Sequence, residues 1–260
     1  MPDVRKYELP VRRATASVWG KIVGAGLWLA SSMLPAAASD MALADFIGFS
    51  RDLRYFAFEE YGIEDGSGSS YSSIYVIDLE EDRWIAGTPY RDKAFEDSDA
   101  LGATREKVRQ AARTKLVELG VDLPAQIVAL SGDGLIDEAA AQMRFGFPAH
   151  NAPGATEGEY RLELQTFDLP PTPECTKELE GPASGFALSL TAGGATREIH
   201  RDTVLPQSRG CPTAYRLYAV LLPYWGGEVT TGVAIVSSYP RGFEGPDRRF
   251  LVVPLRAKSN

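Results

Sequence analysis

The second half of the chain alternates apolar and polar positions, a pattern typical of half-buried β-strands. The segments that follow it, or that are continuously apolar, are 161–167, 186–190, 215–222, 229–238 and 249–255. The Pro- and Gly-containing stretch 223–228 separates two of them and predicts a hairpin. We therefore expect antiparallel strands over 159–260.

The first half begins with a different arrangement. An aromatic-rich run at 54–60 and an apolar run at 74–79 predict two strands of a hairpin. The segment 62–73 between them is rich in glycine and serine, which predicts a loop. We expect a mobile hairpin tip, with ordering on a ligand as the alternative.

A helical period appears in the middle of the chain. Val108, Ala112 and Leu116 recur every four residues, and Gly120 stands where a C-terminal cap glycine is expected. This predicts a helix over 98–119. A second, shorter helix is predicted at 133–142, and 149–158 has the Pro, Gly and Ala content of a linker.

Basic residues occupy another face of the main helix. Arg105, Arg109 and Arg113 follow one another at four-residue spacing. We expect a solvated face. The alternative is a docking surface for an acidic partner.

These elements together predict an α+β, mostly-β fold, with an antiparallel sheet or sandwich and one main helix packed on it. Residues 39–260 are expected to form a single exported domain. Within it, 39–148 supplies the hairpin and the helical segment, and 159–260 supplies the antiparallel strands.

The first 38 residues have the order of a secretory signal peptide. A basic stretch runs to Lys21, an apolar stretch covers 22–34, and small residues follow, with Ala36 and Ala38 suited to signal peptidase. We expect export by the general secretory route and cleavage between Ala38 and Ser39. The apolar run is shorter than the roughly 20 residues that a membrane span needs. We therefore expect a periplasmic or secreted protein without stable membrane insertion, the alternative being an uncleaved anchor.

Export changes the interpretation of the two cysteines, Cys175 and Cys211. Because the bacterial periplasm is oxidising, an even number of cysteines there predicts a disulfide. Two free buried thiols are the alternative. The spacing is not that of a Cys-x-x-Cys redox motif.

Composition and charge narrow the range of partners. Hydrophobic residues make up 44% of the chain, enough for a sizeable core. The net charge is -8, and it is -11 without residues 1–38. A domain with this negative net charge repels phosphate backbones, so nucleic acid is not expected as a partner.

The sequence contains few residues typical of catalytic sites. His150 and His200 are the only histidines, and neither accompanies a Gly-x-Ser-x-Gly elbow or a phosphate-binding glycine motif. With two histidines, and with both cysteines in the predicted disulfide, too few ligands remain for zinc. The acidic stretches 64–65 and 78–82 lack calcium-loop spacing and predict solvated turns. No catalytic, cofactor-binding or metal-binding residue is assigned.

One segment resembles a single repeat of TolB-like propeller proteins. The resemblance rests on the turn 49–52, the aromatic strand 55–58 and the strand 74–78 ending in aspartate. Leu53 stands where that repeat has glycine. A propeller needs about four or more blades, and further copies are not found.

A broader resemblance covers nearly the whole chain after residue 38. The early turn and strand segments, the paired cysteines and the closing segment 242–250 are similar to a family of predicted secreted bacterial proteins of unknown function. The resemblance implies export and a single shared domain. It implies no activity and no functional residues.

The function predicted on these grounds is a non-catalytic binding or interaction module with an envelope protein or glycan as partner. Tyr224 and Trp225, at the predicted hairpin tip, are the candidate contact residues. The alternative is a carboxylate-based hydrolase of envelope glycans. An aromatic-lined pocket holding two carboxylates about 5–10 Å apart would favour that alternative.

Overall fold

A computed structural model describes residues 39–95, 101–132, 141–170, 172–178, 181–242 and 245–256. These residues belong to one contact unit, 37–260. The predicted signal peptide and most of the predicted helix 133–142 lie outside the described residues.

The strands are β1 Leu43–Ser50, β2 Tyr55–Ile63, β3 Ser70–Asp78, β4 Arg83–Trp84, β5 Tyr90–Ala94, β6 Val121–Leu123, β7 Ala125–Leu130, β8 Gln142–Pro148, β9 Thr156–Leu169, β10 Ala183–Ala192, β11 Ala195–Arg201, β12 Pro212–Pro223, β13 Val233–Pro240 and β14 Arg249–Pro254. The α-helices are α1 Leu101–Glu118 and α2 Pro173–Glu178.

The strands form three antiparallel sheets. The helix-side sheet has the order β4-β3-β2-β1-β6, with β5 also paired to β3. The central sheet has the order β14-β13-β12-β7, and the outer sheet has the order β11-β10-β9-β8. The mostly-β class with antiparallel sheets and one main helix is confirmed. The number of sheets exceeds the predicted one or two.

Both faces of the central sheet are buried. Along β13, Val233 and Ile235 pack against the helix-side sheet, whereas Ala234 and Val236 pack against the outer sheet. Successive side chains of a strand point to opposite faces, so a strand covered on both sides has apolar residues at consecutive positions. This explains why 233–236 is continuously apolar.

A bulge adjusts the neighbouring strand β12 to the same two cores. Leu217 packs in the core with the outer sheet, and Ala219 packs in the core with the helix-side sheet. In a regular strand, residues two positions apart share one face, so these two would pack in the same core. The pairing of β12 with β13 shifts between them, which changes the phase of the alternation.

The main helix packs on the other face of the helix-side sheet. Val108 and Ala112 are buried against Ile74 of β3. The hydroxyls of Thr104 and Ser70 hydrogen-bond at 2.9 Å. Gly120 follows the helix with φ of 65°, a conformation that glycine adopts without a Cβ clash. The predicted helix is confirmed over the residues described.

The prediction of a solvated basic face is wrong for Arg105, whose side chain is 20% exposed, whereas Arg109 is 44% exposed but is paired with carboxylates. Arg105 and Arg109 both donate to the carboxylate of Glu59, which is fully buried in β2, and both also bind Asp45. Burial raises the pKa of Glu59, but hydrogen bonds from Arg105 and Ser72 outweigh this and lower it overall. Arg113 is exposed. The arginines therefore attach the helix to its own sheet.

Several strands of the first half were not predicted. The structure contains β1, β5, β6, β7 and β8 in segments to which the sequence patterns assigned no strand. The predicted loop 62–73 is shorter than expected, because β3 begins at Ser70. β5 and β6 are five and three residues long, too short for a period of two to be recognised.

The predicted disulfide is confirmed. Cys175 of α2 is bonded to Cys211, which precedes β12, with Cα atoms 5.4 Å apart. Both residues pack in a small cluster with Leu169, Ala183 and Leu205. Of the helices described, none combines the length and hydropathy needed to cross a membrane.

Because the central sheet is buried on both faces, we predict that isoleucine-to-alanine substitutions at its centre and at its edge lower the free energy of unfolding by very different amounts. Ile235→Ala, in fully buried β13, should lower the free energy of unfolding by about 3 kcal/mol, because it leaves a cavity between two sheets. Ile127→Ala, at a half-exposed position of edge strand β7, should cost less than about 1 kcal/mol. Urea denaturation followed by tryptophan fluorescence measures both. Equal losses would contradict the assignment of β13 to the centre.

Candidate functional site

A cleft of about 680 Å³ opens beside β14, the terminal strand of the central sheet. One wall is the helix-side sheet, and the opposite wall is formed by Ser208, Arg209 and Gly210. A second space of about 410 Å³ adjoins it along β14. Trp84 and Phe250 line both spaces.

The cleft exists because the inner face of the helix-side sheet changes character along its strands. Phe56 and Phe58 of β2 pack on the central sheet. Two residues further, Glu60 lies in a row with Ser73 of β3 and Arg91 of β5. The face therefore changes from apolar to polar where it leaves the central sheet.

Aromatic side chains form the other part of that wall. The Tyr75 ring lies 5.0 Å from Phe58 and 5.2 Å from Trp84, measured between ring centroids. Trp84 is 41% exposed and lines the cleft. Partly exposed aromatic rings beside polar groups are characteristic of sites for small ligands.

Glu60 is a buried carboxyl group at the edge of the cleft. Its side chain is 5% exposed, and its Oε2 accepts a hydrogen bond of 2.9 Å from the Phe250 N–H. Burial raises the pKa of Glu60, and the Phe250 N–H and Arg249 offset only part of the effect. Glu60 therefore keeps its proton to a higher pH than an exposed glutamate does, and the protonated form is a hydrogen-bond donor.

Four cationic side chains line the cleft, and three of them have carboxylate partners. Lys93 binds Glu64, Arg209 binds Asp202 at 2.6 Å, and Arg249 binds Asp247 at 3.3 Å. The fourth, Arg91, has its guanidinium 5.9 Å from the centroid of the Tyr75 ring. Within the described ranges, Arg91 has no ion pair with a carboxylate.

Asp202 holds the wall that contains Arg209. Its Oδ2 accepts from the Phe186 N–H at 2.9 Å and from Arg209 at 2.6 Å, and its Oδ1 lies 3.0 Å from His200 Nε2. Burial alone raises the pKa of Asp202, but the hydrogen bonds with His200 and Arg209 outweigh it and lower the pKa to about 2. His200 is thus part of a structural network that fixes the turn at 207–209.

The acidic stretches considered for calcium have structural partners. Asp78 accepts from Arg54 and from the backbone N–H groups of Glu80 and Glu81, and Glu64 accepts from Ser67 and Lys93. Across the described parts of the chain, no group of three or more potential ligands is close enough to bind a metal ion.

Comparison with known proteins identifies the family. Residues 57–256 match the family model described as predicted secreted protein (DUF2259). The chain belongs to this family of predicted secreted proteins. No curated protein and no solved structure matches the chain.

Membership agrees with the prediction of a periplasmic or secreted protein and with the resemblance to a secreted family of unknown function. The TolB-like resemblance is not shown. Leu53, which stands in place of the glycine of that repeat, has φ of 61°, so the turn adopts the conformation that glycine favours.

Tyr224 and Trp225, the candidate partner-binding residues, are 45% and 77% exposed and contact each other edge to face. They lie beyond the end of β12 and do not line the cleft. His150 lies in the loop between β8 and β9. The structure thus brings together a different set of residues from the one that the sequence indicated.

Sequence reasoning missed Trp84, Arg91, Glu60 and Ser238 as cleft residues. One signal was present: Glu59 and Glu60 interrupt an otherwise aromatic and apolar strand. Consecutive residues of a strand face opposite sides, so a charged pair inside a buried strand places a carboxyl group on each face. Such groups need partners or a functional reason.

The low pKa of Asp202 predicts a pH-dependent loss of stability. A carboxylate whose pKa is lowered by folding stabilises the fold above its ordinary value near 3.8, and this contribution disappears as the pH falls to about 2. We expect the stability difference between the native protein and Asp202→Asn to shrink by about 2 kcal/mol between pH 4.5 and 2. Urea denaturation across this range measures it. Asp65→Asn, at an exposed position, is the control. A stability difference between the native protein and Asp202→Asn that stays constant with pH would contradict the lowered pKa of Asp202.

Proposed function

We propose that this protein is an exported, non-catalytic binding protein whose cleft holds a saccharide ligand of the cell envelope. The observation that carries the proposal is the aromatic wall of Tyr75 and Trp84 beside a row of polar side chains in one open cleft. The flat faces of aromatic rings pack on apolar sugar faces, and polar groups at the rim bind hydroxyls. A volume of about 680 Å³ is within the usual size of such sites.

Export by a cleaved signal peptide is part of this proposal. The protein expressed in a Gram-negative host should appear in the periplasmic fraction with an intact mass that begins at Ser39, because Ala36 and Ala38 suit signal peptidase. Mass spectrometry of the purified protein checks this. A membrane-bound protein that retains Met1 would support the uncleaved anchor instead.

One observation favours the hydrolase alternative. The cleft contains Glu60, whose pKa is raised by burial, and Glu64, whose pKa is lowered because the hydrogen bonds from Lys93 and Ser67 outweigh its burial. Two carboxyl groups with opposite shifts are a pattern found in acid–base catalysis.

The contacts of Glu64 favour binding. Lys93 and Ser67 both donate hydrogen bonds to its carboxylate, and these bonds lower its pKa despite its burial. A carboxylate held in this way is a weaker base and nucleophile, which supports a role in ligand contact.

Two tryptophan variants test the location of the binding site. Isothermal titration of the exported protein with neutral and acidic envelope-type oligosaccharides should reveal binding. Trp84→Ala should weaken it at least about tenfold, because it removes part of the aromatic wall. Trp225→Ala is the matched control and should bind as the native protein does. Weaker binding in Trp225→Ala, with unchanged binding in Trp84→Ala, would place the site at Tyr224 and Trp225.

The same oligosaccharides distinguish binding from hydrolysis. Under our proposal, prolonged incubation leaves the number of reducing ends unchanged. Release of reducing ends by the native protein, lost in Glu60→Gln, would establish the hydrolase alternative.

A further inference from the structure

Three polar groups of the cleft have binding capacity that the described residues leave unused. They are the guanidinium of Arg91, the hydroxyl of Ser238 and Oε1 of Glu60. Together they define the chemistry of a ligand more narrowly than the aromatic wall does.

Arg91 offers a positive charge at an accessible position. It is exposed on β5, two strands from Glu60, and its guanidinium lies over the ring of Tyr75. Its charge acts on Glu60 at a distance, without an ion pair between them. The other three cations of the cleft are paired with carboxylates. A planar guanidinium with free donors binds carboxylate or phosphate groups in bidentate fashion.

Ser238 carries an unsatisfied hydroxyl. The residue is 1% exposed, lines the cleft, and its Oγ has no hydrogen-bond partner among the described residues. An unpaired buried hydroxyl is costly. The Oγ itself has almost no accessible surface, so a hydrogen-bonding group of a ligand would satisfy it once the residues around it shift slightly.

Glu60 has one oxygen in use and one available. Oε2 accepts from the Phe250 N–H, while the charged group nearest to Oε1 is Arg249 Nε at 3.9 Å, beyond hydrogen-bond distance. Glu60 and Arg91 lie in one row across three strands. Their Cα atoms are therefore about 10 Å apart, a distance that a disaccharide spans.

We propose that the cleft selects an acidic saccharide, with the anionic group bound by Arg91 and sugar hydroxyls bound by Ser238 and Glu60. This inference rests on the proposed function and narrows its ligand class. The protein as a whole has a net charge of -8. An unpaired arginine in a cleft of an acidic protein provides a local attraction for the anionic group that the rest of the surface does not.

Isothermal titration with four probes tests the charge preference. The probes are digalacturonate, trehalose 6-phosphate, the neutral disaccharide cellobiose and inorganic phosphate. At least one acidic disaccharide should bind about tenfold or more tightly than both cellobiose and phosphate. The better of the two acidic probes identifies carboxylate or phosphate as the preferred group.

Arginine variants test the anchor. Arg91→Ala should reduce affinity for the acidic disaccharide about tenfold or more and leave cellobiose binding nearly unchanged. Arg91→Lys should retain part of the preference, because it keeps the charge without the planar fork. Arg113→Ala, an exposed arginine of α1, is the control and should have no effect.

Two neighbouring serines provide a matched test of the hydroxyl. Ser237 and Ser238 are equally buried, and both hydroxyls lack a described partner, but of the two only Ser238 lines the cleft. Each alanine variant should be at least as stable as the native protein, because an unsatisfied polar group is removed. Ser238→Ala alone should weaken binding of the acidic disaccharide, by about fivefold.

The outcomes separate this inference from the function on which it rests. Cellobiose binding as tight as that of the acidic probes would overturn the acidic ligand and leave the saccharide-binding function standing. Phosphate binding as tight as trehalose 6-phosphate would overturn the saccharide component. An absence of binding to all four probes would overturn both proposals. Equal losses of affinity for the acidic disaccharide in Ser237→Ala and Ser238→Ala would overturn the contact assigned to Ser238.

Discussion

The architecture depends on a central sheet that is covered on both faces. Strands β12 and β13 supply alternate side chains to two separate cores, one with the helix-side sheet and one with the outer sheet. Few polar residues are tolerated at such positions, because either face would have to desolvate them. This requirement fixes the register of the strands and leads to the bulge between Leu217 and Ala219.

The cleft is a consequence of this layering. Strand β14 ends the central sheet, and a space remains beside it between the helix-side sheet and the segment 208–210. The wall opposite the helix-side sheet is held by the Asp202 network and lies next to the disulfide of Cys211. A binding site in this position has rigid walls, which limits the entropy lost when a ligand binds.

The adjacent residues Glu59 and Glu60 show how tertiary surroundings decide the role of a side chain. They point to opposite faces of the same strand. Glu59 meets Arg105 and Arg109 of the helix, and its pKa is lowered; Glu60 meets one backbone N–H at the cleft, and burial raises its pKa. The first carboxylate attaches a helix, whereas the second lines the cleft.

The sequence by itself determined the mostly-β class, the main helix, the disulfide and the membership of a secreted family. These follow from local periodicity, from two cysteines with one possible pairing, and from segments that resemble a family. It did not determine the three sheets or the cleft. Trp84, Arg91 and Ser238 are far apart in the chain, and they line one space because β3, β5, β13 and β14 pair as they do. Local patterns indicate which face of a strand is buried, but the choice of neighbouring strands depends on packing between distant segments. For this reason only the tertiary structure could place these residues together.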